Sequence, residues 1–260
     1  MGDTAVIIMT AFNKAIPKVV ASVEARMSSS RLPGKMLMDI AGKPMVLHVL
    51  DRLAHASLLD DIVLATTINP ADDELASVAD KAGYKVFRGS EDDVLKRVVD
   101  AHTLMQSEII VEICGDCPLI DPSLVDLAIS TYTNNSCDVV SSGLEQSYPQ
   151  GTEVQVFSYK ALEHVSLTID DAAVREHVSL YFYEHPEIYK VVPLVAPDEL
   201  RSPDTRLQID YEEDLMMVRE LHHVISTERL FGIREVLSCL QQYPEIVEIN
   251  RNCEERSVRG

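Results

Sequence analysis

Val19-Val20-Ala21-Ser22-Val23 leads into Ala25-Arg26-Met27-Ser28-Ser29-Ser30-Arg31-Leu32-Pro33-Gly34-Lys35, and the fold turns on this stretch. Its first five residues are short, apolar and rich in β-branched side chains, the composition of a buried strand. The segment that follows carries three cations and three hydroxyls. It would emerge at the strand's carboxyl end, where open α/β sheets bind ligands. Cations and hydroxyls gathered there suit phosphate oxygens. A solvated basic surface loop has the same spacing, and spacing alone leaves both readings open.

The whole chain argues that any anion site must be local. Its 260 residues fit one large domain or two small ones, and 46% apolar with 25% charged residues is ordinary globular composition. Against 23 Lys+Arg stand 42 Asp+Glu, a formal charge of -19 that repels nucleic acid and anionic membrane surfaces. No apolar run approaches the roughly 20 residues of a membrane helix. Ala5 to Met9 lacks a basic leader, so the expectation is a cytoplasmic protein with residues 1–17 as an N-terminal extension and 253–260 as a polar, disordered tail. The five cysteines are an odd number and widely spaced, which predicts reduced thiols. Cys114-Gly115-Asp116-Cys117 is formally C-x-x-C, but no second ligand pair accompanies it, so buried thiols flanking Asp116 are the simpler reading.

Around the opening stretch, apolar runs and helical stripes alternate as in a mostly parallel sheet with helices on its faces. Val46, Val49, Leu50 and Leu53 form one helical stripe behind Pro44. Ile62–Thr66 reads as a strand, and 70–82 as a helix stopped at Gly83. Lys85–Phe87 is a third strand, and Ser90 with Asp93 resembles a capping box for the helix through Leu104. Ile109–Ile113 is a fourth strand. Asp121-Pro122 caps and opens the helix from Ser123 to Tyr132. Residues 137–190 are less regular; there Thr152–Phe157 alternates with Val154 and Val156 on one face and Glu153 and Gln155 on the other. Arg206–Asp210 is expected as a last strand entering the helix from Glu212 to Val224.

The P-loop pattern G-x-x-x-x-G-K-[ST] fails here, because Ser29 stands for its first glycine and Met36 for its metal-binding hydroxyl. Phosphates would instead be held by Arg and Lys side chains. Asp116 and Asp210 both end predicted strands, so both could reach the sheet edge of Lys35, and paired carboxylates facing phosphates are what Mg²⁺ requires. Each has a simpler reading: an Asx turn for Asp116, and the capping box Asp210-Tyr211-Glu212-Glu213 for Asp210. The eight histidines form no metal cage, and neither a G-x-S-x-G elbow nor a G-x-G-x-x-G turn is present.

With these residues in view, the chain resembles the cytidylyltransferases that activate acidic sugars, its SpsF-like branch most of all. The loop from Ala25 to Lys35 matches their signature nearly letter for letter. Ala65-Thr66, Phe87 to Leu95, Gly115 to Ile120, Tyr148 to Phe157, Arg175-Glu176-His177-Val178 and Asp210 to Leu215 follow in order, across roughly Val19 to Arg251. The resemblance implies a nucleotide-diphospho-sugar transferase fold, Rossmann-like and three-layered, as a single domain over 18–252 with a substrate and dimerisation subregion at 137–190. It implies CTP and an acidic sugar as substrates, Mg²⁺ as cofactor and a homodimer. By the same resemblance Ala25, Arg26, Ser29 and Lys35 take the nucleotide with Gly89 and Ser90. Lys35, Arg26 and Asp116 fall on catalytic positions, Asp116 and Asp210 on metal positions, and Glu153, Gln155, Arg175 and His177 would face the sugar. A sugar phosphate or phosphonate acceptor, or a catalytically silent scaffold of a polysaccharide pathway, are the alternatives.

Overall fold

The computed structural model describes residues 17–225 and 230–254, so the expected extension before Pro17 and the end of the polar tail lie outside the described residues. β1 (Val19–Glu24) opens into the basic loop, which returns through a small hairpin, β2 (Asp39–Ile40) and β3 (Lys43–Pro44), to α1 (Met45–Leu53). The strand-then-helix unit repeats in β4 (Asp61–Thr67) with α2 (Asp73–Lys81), β5 (Lys85–Gly89) with α3 (Val94–Met105), and β6 (Ile109–Cys114) with α4 (Pro122–Asn134). Then follow β7 (Val139–Ser141), β8 (Gln155–Ser158), the short helices α5 (Tyr159–Thr168), α6 (Ala172–Glu176) and α7 (Leu180–Glu184), β9 (Val191–Pro193), α8 (Glu212–Val224) and α9 (Ile233–Gln242).

Seven strands form one sheet in the order β5-β4-β1-β6-β8-β7-β9, and β8 alone runs against the rest. The alternation of β1 explains how it is covered. Val19, Ala21 and Val23 pack into the larger core with α1, α4, α8 and α9, while Val20 faces the opposite layer with Val63, Ala65, Ala101 and Met105. A further cluster around Phe157 and Phe182 joins α3, α5, α6 and α7 on that second side. The result is the three-layered α/β architecture with a mostly parallel sheet. Among the described residues no helix is long and apolar enough to cross a membrane.

Three local expectations shift. Arg206–Asp210 is not a strand: it makes a single parallel bridge, Arg206 to Gln150, and is otherwise irregular because its side chains are committed to a charge network. The capping box sits one residue later, where the Asp214 carboxylate accepts from the Tyr211 amide, leaving Asp210 free of the helix terminus it was expected to cap. At α3 the cap is Asp93, which accepts from the Lys96 amide, and Ser90 supports it by accepting from the Asp93 amide.

One cap does double service. Asp121 accepts the Ser123 amide at 2.9 Å with one oxygen and the Ile233 amide at 2.8 Å with the other, tying the first turns of α4 and α9 together. Both helix termini lose an amide partner if it is removed. Asp121→Ala is therefore expected to destabilise the protein by about 2 kcal/mol, the upper range for one cap, read as a lowered denaturant midpoint. A loss of only a few tenths would show the Ile233 bond to be dispensable.

Candidate active site

The loop between β1 and β2 is curled upon itself. The Gly34 amide donates to Met27 O at 3.0 Å, and Gly34 itself takes a φ of 78°, a left-handed conformation that glycine adopts without strain. Asp72, buried behind the loop, accepts the Met27 amide at 2.7 Å and the Thr67 hydroxyl. Glu91 clasps the outer side, its carboxylate accepting from Ser28 and Asn69 while its carbonyl accepts from Arg26 at 3.3 Å. β1 and β6 are pressed together just where their loops diverge: a Cβ on Gly115 would lie 2.7 Å from Glu24 O.

The curl delivers Lys35 beneath the loop, where its side chain is only 6% exposed. Its ammonium donates to Asp116 Oδ2 at 2.9 Å, Asp210 Oδ1 at 2.9 Å and Ile209 O at 2.7 Å. Burial lowers the lysine's pKa, but the charges of Asp116 and Asp210 outweigh it and leave the net shift upward. Asp210 is the more enclosed carboxylate. Arg31 lies 2.5 Å from its Oδ1, and Arg206 and Gln208 donate to its Oδ2 at 3.0 and 3.3 Å. Burial alone would raise its pKa; Lys35 and Arg31 reverse this and hold the group below its usual range. Arg206 in turn grips Asp214, which also accepts from Asn250. Asp116 is more open, its side chain 27% exposed, and its Oδ1 receives only the Cys117 thiol at 3.7 Å. Burial, followed by the nearby Asp116 charge, pushes that thiol's pKa well up, so Cys117 is a protonated core residue.

On the α3 side of the sheet a row of polar side chains crosses the strands. The register pairs Ser22 with Glu112 and Glu24 with Cys114, then Glu112 with Gln155 and Gln155 with Ser141. Ser22 donates to Glu24, Ser179 to Glu112, and Tyr183 to Ser141 at 2.9 Å. Burial first, and then its neighbour Glu112, raises the Glu24 pKa far above the carboxylate range; burial raises that of Glu112 to about 7. Arg97, itself buried under Gly89 and donating to Ser90 O, lies on the same side and partly offsets Glu24.

The structure thus gathers Lys35, Asp116 and Asp210 at one point, with Arg26, Ser29 and Ala25 along the same loop and Gly89 and Ser90 at the adjoining end of β5. Ser29 accepts the Leu32 amide at 3.3 Å. Glu153 and Gln155 stand at the start of β8, on the same sheet edge, with Glu153 accepting the Gly151 amide. Arg175 is turned aside: it donates to Ser166 O at 2.8 Å and reaches the α3 cap Asp93 at 3.4 Å. His177, at the end of α6, is exposed, while the neighbouring Glu176 lies 3.9 Å from Arg26. Arg31, one of the loop's three cations, and residues with no site role read from the sequence complete the site. Arg31, Arg206 and Gln208 saturate Asp210, and Glu24 and Glu112 lie along the same end of β1 and β6. A signal for the last two was present: Glu112 interrupts an apolar strand and Glu24 ends one, on the face shared with Ser22.

A parallel sheet whose carboxyl edge carries a cationic loop over two carboxylates defines a class, the nucleotide-handling α/β transferases. Within that class the chain belongs to the cytidylyltransferase family, whose profile matches residues 20–250. It is 30% identical over 228 residues to the spore coat polysaccharide biosynthesis protein SpsF of Bacillus subtilis, covering 86% of this chain and 94% of that protein. Over 119 residues it is 40% identical to a 3-deoxy-manno-octulosonate cytidylyltransferase of Geobacter sulfurreducens, 45% of this chain and 46% of that one. A solved cytidylyltransferase from Leptospira borgpetersenii superposes with a TM-score of 0.84 at 28% identity, covering 93% of this chain and all (100%) of that one. The chain is accordingly a nucleotidylyltransferase.

The buried acids make stability depend on pH in a stated direction. A carboxyl whose folded pKa lies above its unfolded one favours the protonated native state, so its contribution is complete below the usual carboxylate pKa and is lost as pH rises through about 7 for Glu112. Glu112→Gln should remove part of the fall in denaturant midpoint between about pH 5 and about pH 8. An undiminished fall in that variant would mean that Glu112 titrates normally.

Proposed function

We propose that this protein transfers the cytidylyl group of CTP to a hydroxyl of an acidic sugar, of the octulosonic or nonulosonic acid type, with release of pyrophosphate, as a cytoplasmic step in surface polysaccharide synthesis. The observation that carries the reading is the Lys35 junction, a cation held between two carboxylates directly under a cationic loop in a cytidylyltransferase chain. The polysaccharide assignment of the SpsF relative and the octulosonate relative's match over nearly half the chain support the acceptor class. All five cysteines are free thiols, in keeping with a reducing compartment.

In this reading Arg26, Ser29 and Lys35 receive the triphosphate, and Ala25, Gly89 and Ser90 lie along the ribose and base. Glu153, Gln155 and His177 face the acceptor, while Arg175, tied to Asp93, holds α6 in place beside them. The acceptor oxygen bonds to the α-phosphorus, the bond to the β-phosphate's bridging oxygen breaks, and the hydroxyl proton is lost. Such transfers depend on positioning and charge neutralisation more than on covalent help. Asp116 and Asp210 fit Mg²⁺ by donor chemistry: both are hard carboxylates, and both already contact one shared cation at 2.9 Å. They would hold the ion, which supplies charge neutralisation at the phosphates. A homodimer built partly through residues 137–190 accompanies the proposal. Leu167 and Ile188 in that region are 79% and 58% exposed, apolar surface that a partner copy would cover.

Pyrophosphate release with CTP, Mg²⁺ and a panel of octulosonates, nonulosonates and phosphorylated sugars is the direct test. An acidic sugar should be the productive acceptor, CTP should exceed ATP, GTP and UTP, and Asp116→Asn or Lys35→Ala should each cost about 10²-fold or more with an unchanged circular dichroism spectrum. Turnover restricted to phosphorylated sugars, or full activity in either variant, would overturn the assignment. Light scattering at micromolar concentration should report a dimer; a monomer would contradict that part.

A further inference from the structure

An ammonium group has three N-H donors, and the protein itself uses all three of Lys35's, on Asp116, Asp210 and the Ile209 carbonyl. The lysine is therefore not held in readiness for a phosphate. It already fills the point at which two carboxylates converge. Charges in this nest are balanced as it stands: Lys35, Arg31 and Arg206 face Asp116, Asp210 and Asp214. A dication placed against Asp116 Oδ2 and Asp210 Oδ1 would take ligand distances of about 2.1 Å, against the lysine's 2.9 Å. It could not share those oxygens with the ammonium at close range without severe repulsion in a partly buried site.

We infer that Lys35 is the resident cation of this site in the nucleotide-free protein, and that a divalent metal enters between Asp116 and Asp210 only when nucleotide phosphates draw Lys35 away. This rests on the reading that those two carboxylates hold the metal. The exchange keeps the site near neutrality: the lysine's charge moves onto the anionic triphosphate as the dication takes its place. Metal without nucleotide meets an intact lock, because all three ammonium hydrogens are already bonded where they stand. Arg31, 2.5 Å from the same Oδ1, withdraws toward the phosphates with Lys35, while Arg206 and Gln208 keep Oδ2 occupied and the carboxylate's orientation fixed. Metal affinity is thereby made conditional on nucleotide, a coupling between two ligands through the cations of one loop.

Mn²⁺ titration of the nucleotide-free protein, followed by electron paramagnetic resonance, tests this without any turnover. Wild type should bind Mn²⁺ weakly; Lys35→Met should bind it tighter by about 10-fold or more, a usual scale of site coupling, and Lys35→Met/Asp116→Asn should lose the gain. Wild-type crystals soaked in Mn²⁺ alone give a second readout that needs no variant to fold: the anomalous map should show no peak between Asp116 and Asp210. Equal Mn²⁺ affinity in wild type and Lys35→Met, or a peak in the soaked crystal, overturns the exchange while leaving those carboxylates as metal ligands. If no variant binds Mn²⁺ and wild type binds CTP equally with and without a divalent ion, the metal reading falls and the exchange with it.

Discussion

The Lys35 ammonium joins three distant parts of the chain: the loop after β1, the end of β6 at Asp116, and the segment at Ile209 and Asp210, 174 and 175 residues further on. Everything at the carboxyl edge is arranged around this junction. The loop must curl at Gly34 to present the lysine, β1 and β6 must approach closely at Gly115 to bring Asp116 into range, and the C-terminal segment must give up strand pairing to place Asp210. Removing one member of such a buried set leaves the others uncompensated. That is why Asp210 is backed by Arg31, Arg206 and Gln208, and Arg206 by Asp214 and Asn250.

An acidic protein can bind an acidic nucleotide only where its field is locally reversed. Arg26, Arg31 and Lys35 gather above the sheet edge, Arg31 and Lys35 each set against a carboxylate, and Arg97 adds a buried cation beside Ser90. Burial raises the pKa of the carboxyls on the α3 side, Glu24 and Glu112, which weakens their negative charge relative to exposed acids. The polar row they begin continues through Gln155 to Ser141 across the sheet.

Much of this was legible before any coordinates. β1, β4, β5 and β6 are apolar runs of strand length, and their alternation with helical stripes specifies a parallel sheet whose carboxyl edge collects Lys35 and Asp116. The signature from Ala25 to Lys35 marked the cationic loop because its residues are local in sequence. Long-range pairings were less visible. Arg206–Asp210 looks like a strand by its alternation, yet charge pairing overrides that pattern. The bonds of Arg175 to Asp93 and the Ser166 carbonyl, brought beside it by α3 and α5, have no sign in its local sequence. The second cap made by Asp121 depends on α9 arriving from more than a hundred residues away. Glu24 and Glu112 were marked by their position within apolar strands, but the upward pKa shift that burial gives them depends on the covering helices.

Because the junction is argued to serve transfer of the cytidylyl group, the fate of the individual phosphates is the decisive observable. CTP labelled at the α-phosphate and, separately, at the γ-phosphate should be incubated with the protein, Mg²⁺ and an acidic sugar acceptor. The α label should appear in a new CMP-sugar and the γ label in pyrophosphate alone. A γ label in the sugar product, or an α label recovered only as free CMP, would contradict the account.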